Sequence, residues 1–92
     1  MTSPRQYTAD MVPRRSLDAR VRKIRGKLYV ATGSLAFELD EVAEFIFRHV
    51  DGSATAAMIA GQVASAYGVA VQEAEADVLD LLGELAGQGI VE

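Results

Sequence analysis

KLYVATGSLAFELD, residues 27–40, decides how the chain is read. Leu28 and Val30 alternate with Tyr29 and Ala31. After Thr32-Gly33-Ser34, Leu35, Phe37 and Leu39 alternate with Ala36 and Glu38. Successive side chains of a strand point to opposite faces, so this alternation, broken by a Gly-containing turn, specifies a β-hairpin. Almost everything after Asp40 reads as helix. The second strand of the hairpin therefore stands where the sheet ends and the helical half begins.

Upstream, residues 17–25 (LDARVRKIR) read as a further strand running into a turn at Gly26. Val21 and Ile24 fall on opposite parities, which predicts a bulge or an early end. Residues 1–16 hold Pro4, Pro13 and mostly polar side chains without periodicity, the pattern of a flexible or loosely draped arm. The expected division is an arm over 1–16 and a folded domain over 17–92.

Downstream, Asp40 is placed to cap a helix, with Glu41 adding favourable charge in its first turn. That helix is expected to reach about Val50. Val42, Phe45, Ile46 and His49 share a face, and Phe47 and Val50 widen the stripe. Asp51-Gly52 ends it. Thr55 or Ser53 caps a second helix to about Tyr67, with Ile59, Val63, Ala66 and Tyr67 as its apolar face and Gly68 as its stop. A third helix over about residues 71–86 places Ala74, Val78, Leu81, Leu82 and Leu85 three and four apart. Gly87 and Gly89 end it, and Ile90-Val91 form an extended tail. The expected fold is α+β and winged-helix-like: an N-terminal three-stranded antiparallel sheet followed by three helices.

The chain is 92 residues long, half apolar and a quarter charged, which suits one domain with one small core. Without cysteine it has no disulfide, thiol nucleophile or thiolate metal site. No signal-peptide h-region and no apolar run of spanning length is visible, so the expected location is the cytoplasm and no membrane is implied. The net charge of −4 is uneven. Arg5, Arg14, Arg15, Arg20, Arg22, Lys23, Arg25 and Lys27 precede residue 28. Beyond it Arg48 is the sole cation among many acids. The two halves attract each other or two different partners, or are simply solvated.

Catalytic constellations are missing from the sequence. His49 is the single histidine, with no fitting triad partner, and reads as structural. Glu73, Glu75, Asp77, Asp80 and Glu84 lie along one helix. Paired carboxylates for acid–base work must instead face each other across a cleft. No set of convergent metal ligands and no phosphate-cradling loop occurs. The chain is not expected to be an enzyme, and no cofactor or metal is implied. Nucleic acid is disfavoured because residues 55–86 contain no Lys or Arg, whereas a recognition helix and its surroundings need them against phosphate. A winged-helix DNA-binding regulator stands as the alternative function.

An outer strand of a meander exposes unpaired backbone groups that proteins usually guard. The first strand is guarded by Arg20, Arg22, Lys23 and Arg25; the third has only Glu38. Two readings remain open on the residues alone. Leu35, Phe37 and Leu39 are core with the third helix covering the edge, or the edge accepts a strand from a partner. An open edge also permits a strand-swapped dimer beside the monomer.

The ordered set VRKIRGKLYVATGSLAFELDEVAEFIF, HVDGSAT, a capped helix ending YGV, and AEADVLDLLGELAGQGIVE resembles the PqqD-like family over residues 20–92, about four-fifths of the chain. These are the RiPP recognition elements, which bind the leader of a ribosomally made precursor peptide. The resemblance implies that a leader adds as an antiparallel strand to Ser34, Leu35, Ala36, Phe37, Glu38 and Leu39. It also implies a groove against the third helix, with Ala74, Asp77, Val78 and Leu81 on its groove side. The implied partners are a precursor peptide and a tailoring enzyme, either a radical SAM enzyme or a leader peptidase. The implied role is a non-catalytic adaptor, and an acidic helix beside the groove would favour Lys or Arg on the leader.

Overall fold

The computed structural model describes residues 7–33 and 35–92, Leu35 through its backbone alone. Strands β1 (Arg20–Ile24), β2 (Lys27–Thr32) and β3 (Leu35–Leu39) precede helices α1 (Glu41–Arg48), α2 (Ala56–Tyr67) and α3 (Val71–Gly87). The sheet is an antiparallel meander in the order β1-β2-β3. Ile24 faces Lys27, which leaves Arg25-Gly26 as a two-residue turn. Their φ angles are 53° and 81°, the left-handed pair that a tight hairpin of this twist demands. Gly26 takes this conformation freely, and Arg25 is the one described non-glycine residue that shares it. The second turn opens between Thr32 and Leu35 with Gly33 at φ 57°.

The expected bulge in the first strand is absent. β1 starts at Arg20 and keeps an unbroken register with β2, from Arg20 opposite Ala31 to Ile24 opposite Lys27. All five of its residues are exposed, so the parity of Val21 and Ile24 never had a buried face to report on. In β2, by contrast, Leu28 and Val30 are buried and Tyr29 is not.

The core lies between one face of the sheet and the helices. Val30, Ile46, Phe47, Val50, Ile59, Val78, Leu82 and Ile90 are all essentially inaccessible. Each such side chain contributes about 1.5–3 kcal/mol relative to exposure. Asp40 caps α1 as read, its Oδ1 accepting from the Ala43 amide at 2.8 Å. Thr55 caps α2, its hydroxyl accepting from the Met58 amide at 3.1 Å, and Gly68 ends it at φ 66°. The apolar stripes are shifted from the expected ones. In α1 the fully buried pair is Ile46 and Phe47, whereas Val42, Phe45 and His49 are half-buried. In α2 the buried residues are Ala56, Ile59, Ala60 and Val63, and Ala66 is exposed.

The expectation of a loose arm over 1–16 is corrected for residues 7–16, which are docked; residues 1–6 lie outside the described set. Tyr7 and Pro13 are buried. The carbonyls of Ala9 and Met11 accept from the amides of Ala57 and Ala56 at 2.9 and 2.8 Å. Those are free donors of the first turn of α2, so the segment satisfies groups that a helix cannot satisfy itself. Farther on, Arg15 bridges Val91, and Arg14 and Glu92 exchange backbone hydrogen bonds. The Tyr7 hydroxyl donates to the Glu92 carbonyl at 3.0 Å. The Arg15 guanidinium lies over the Phe47 ring at 4.3 Å and donates to the Phe47 carbonyl at 3.1 Å. The expected C-terminal tail thus takes the docked segment as its neighbour.

Candidate functional site: the β3 edge and the α3 groove

The hairpin geometry fixes which backbone groups of β3 are free. Residues flanking a two-residue turn exchange both backbone hydrogen bonds, and antiparallel pairs then alternate between bonded and non-bonded. Thr32–Leu35, Val30–Phe37 and Leu28–Leu39 are the bonded pairs. The β1–β2 turn gives the same answer independently, because Ile24–Lys27 is bonded and Tyr29 and Ala31 then serve β1. The amides and carbonyls of Ala36 and Glu38 therefore point away from the sheet. Among the described residues neither meets another backbone group.

Beside this edge lies a groove of about 230 Å³. Phe37 and Leu39 form its strand wall, and Leu81, Leu85, Glu84 and Gln88 of α3 form the other. Asp40, Ala43 and Leu81 also line an adjoining hollow of about 330 Å³ that reaches Ile46 and Asp77. At the opposite end the Thr32 hydroxyl donates to the Gln88 carbonyl at 2.8 Å and sets the C-terminus of α3 against the hairpin. The helix therefore flanks the strand and does not seal its edge.

The structure brings together part of the expected set. Ala36, Phe37, Glu38 and Leu39 lie on the edge strand, with Phe37 half-buried and Leu39 buried. Ser34 and the Leu35 side chain lie outside the described residues. On α3, Leu81 is half-buried in the groove and Asp77 is exposed at its extension. Ala74 and Val78 are fully buried in the core and line neither hollow. The groove set implied by the resemblance leaves out Glu84, Leu85 and Gln88, of which the helical spacing placed only Leu85 on the apolar face. They continue from Asp77 and Leu81 at the same spacing, a stripe one residue round the helix from the core stripe of Ala74, Val78, Leu82 and Leu85, and Leu85 serves both. That repeat was the available signal.

A larger concavity of about 680 Å³ opens between the start of β2 and α1 and shares Glu38, Leu39 and Asp40 with the groove. Its acids are already engaged. Glu44 takes Lys23 at 2.8 Å and Arg48 at 2.6 Å, and these hydrogen bonds hold its carboxyl below the ordinary range. Glu38 takes Lys27 at 3.0 Å, and that partner raises the lysine. Tyr67, also on its wall, is pushed up by burial and by Glu41. The His49 Nδ1–H donates to the Phe45 carbonyl at 2.8 Å and its ring stacks on Phe45 at 4.6 Å, a satisfied helix-end histidine. Among the described residues no group of His, Asp or Glu could hold a metal ion, and no helix is long and apolar enough to cross a membrane.

An antiparallel meander whose β3 edge is unpaired among the described residues, flanked by an acid-rimmed apolar groove, has the geometry to accept an extended strand. Comparison with known proteins agrees on the family. The model of coenzyme PQQ synthesis protein D (PqqD) matches residues 27–91, and the chain belongs to that family. Its fold is similar to the solution structure of the PqqD truncation of Methylobacterium extorquens PqqCD, described as a functional, stand-alone RiPP recognition element. There the TM-score is 0.81 at 30% identity, covering 97% of both chains. It is also similar to lasso peptide synthetase B1 complexed with the leader peptide, with a TM-score of 0.79 at 20% identity over 89% of this chain and 99% of that one. No curated protein matches the chain significantly.

Proposed function

We propose that this protein is a non-catalytic, cytoplasmic adaptor that captures the leader of a ribosomally made precursor peptide and presents it to a tailoring enzyme. The observation that carries the reading is the unpaired edge of β3 beside the Leu81–Gln88 wall of α3. A leader strand lying antiparallel to β3 bonds the outward amides and carbonyls of Ala36 and Glu38, which gives sequence-tolerant affinity. Alternate side chains enter the groove against Phe37, Leu39, Leu81 and Leu85, which gives selectivity. Asp77 and Glu84 at the rim favour a leader with Lys or Arg flanking its apolar residues. The partner enzyme is of the radical SAM or leader-peptidase class.

The test is a titration with synthetic leaders of the short precursors encoded near its gene, in parallel with a DNA duplex. Micromolar or tighter leader binding, lost when the apolar leader residues become Ser, is the expected result. Duplex binding with a steep salt dependence and no leader binding would return the protein to the DNA-binding alternative.

A further inference from the structure

The helix-free face of the sheet is not built as an ordinary wet face. In an antiparallel sheet with one face on the core, the other is normally polar. Here the outward-pointing set includes Ile24, Tyr29, Ala31 and Ala36, which with Arg20 and Arg22 line a shallow hollow of about 380 Å³. Ile24 is 45% exposed. Arg20 is spent locally, its Nη2 donating to the Gly33 carbonyl at 2.7 Å. Glu38, the one acid on this face, is neutralised by Lys27 and accepts weakly from the Tyr29 hydroxyl. The guanidinium groups of Arg22 and, at the adjoining turn, Arg25 have no hydrogen-bond or ion-pair partner among the described residues. An apolar floor thus carries uncompensated guanidinium groups, while the helical half of the molecule carries the acids.

We infer that this face docks an acidic protein surface presenting an apolar side chain, and that this surface belongs to the enzyme acting on the captured peptide. The inference rests on the strand-capture reading for the identity of the enzyme, but the face itself is independent of the groove. The two sites adjoin. The side chains of Ala36 and Glu38 belong to the outer face, and their backbone groups form the edge. A leader strand added to β3 extends the sheet by one strand, and every second leader side chain then stands on the same outer face. An enzyme docked there meets the adaptor and the leader together. Opposite charge on the two surfaces keeps the partners sorted, since a basic leader is repelled by the arginine face and drawn to α3.

The test uses the full chain, isotope-labelled, and three probes: a short synthetic peptide of Asp and Glu around a Leu-Trp pair, the same peptide with Lys for the acids, and a short DNA duplex. The acidic probe is expected to shift the amides of Arg22, Ile24, Tyr29 and Ala31. Arg22→Glu combined with Ile24→Ser is expected to weaken it at least about tenfold while leader binding, followed at Ala36 and Glu38, stays within about twofold. Shifts elsewhere, unchanged affinity in the double variant, or equal or tighter binding of the Lys peptide or the duplex to this face would overturn the inference. If the leader binds and the acidic probe does not, the docking face alone fails. If the probe binds and the leader does not, the reading of β3 alone fails.

Discussion

Replacing Ala36 by Pro tests the edge through a single atom. Its amide points away from β2, so proline removes no bond from the sheet. Ala36 is exposed, so the ring meets no core side chain. Proline is tolerated on an edge strand whose N–H faces solvent, and the variant should keep its stability within about 1 kcal/mol. For a bound strand the loss is larger. One amide–carbonyl bond is worth about 1 kcal/mol, or about fivefold in affinity. The ring also occupies the space where the incoming carbonyl sits and strains the neighbouring bond at Glu38. The expected total is about 2 kcal/mol, roughly thirtyfold weaker leader binding by calorimetry. Ala31→Pro is the matched control. It lies directly opposite Ala36, but its amide serves β1. It should cost about 2–3 kcal/mol of stability by denaturant unfolding. An Ala36→Pro protein that folds normally and binds leader within twofold of the parent would refute the strand-addition reasoning.

Neighbouring leucines on α3 should separate binding from folding. Leu82→Ala empties a fully buried site and should cost about 2–5 kcal/mol in chemical denaturation, whereas Leu81→Ala should spare most of the stability and weaken leader binding. Deleting residues 1–12 removes Tyr7 from the core and uncovers the Ala56 and Ala57 amides, with an expected loss of about 2–4 kcal/mol in thermal unfolding. The Glu44 carboxyl, held low by Lys23 and Arg48, adds stability that is present above its ordinary 4.5 and lost as pH falls through its lower folded value; Glu44→Gln should flatten that acid limb. Lys27 behaves oppositely, its contribution being complete below 10.5 and lost as pH rises through its raised folded value, so Lys27→Met should flatten the alkaline limb.

The hairpins, the caps and the helix ends were legible because each rests on a local rule. Alternation gave β2 and β3, Asp40 and Thr55 gave the helix starts, and Gly68 gave a stop. What stayed hidden depends on how elements lie against each other. The period of α3 shows that Ala74, Val78, Leu81 and Leu85 share a side, but only the position of β3 divides them between core and groove. The docking of residues 7–16 runs mostly through main-chain carbonyls, which leave no side-chain pattern to read. The start of β1 was misread for a simpler reason: Leu17 is fully exposed in a turn, and an apolar residue there resembles a strand position. The edge itself could be called bare from Glu38 alone, and the structure adds which two residues present their backbone groups.

In the proposed strand capture, Ala36 and Glu38 hold the peptide through their outward backbone groups. Amide hydrogen exchange on the labelled protein, with and without saturating leader peptide, tests it most directly. In the free protein the amides of Phe37 and Leu39, bonded to β2, should be protected, and those of Ala36 and Glu38 should exchange fast. On binding, Ala36 and Glu38 should become protected while Phe37 and Leu39 change little. Fast exchange persisting at Ala36 and Glu38 in the saturated complex would contradict the account.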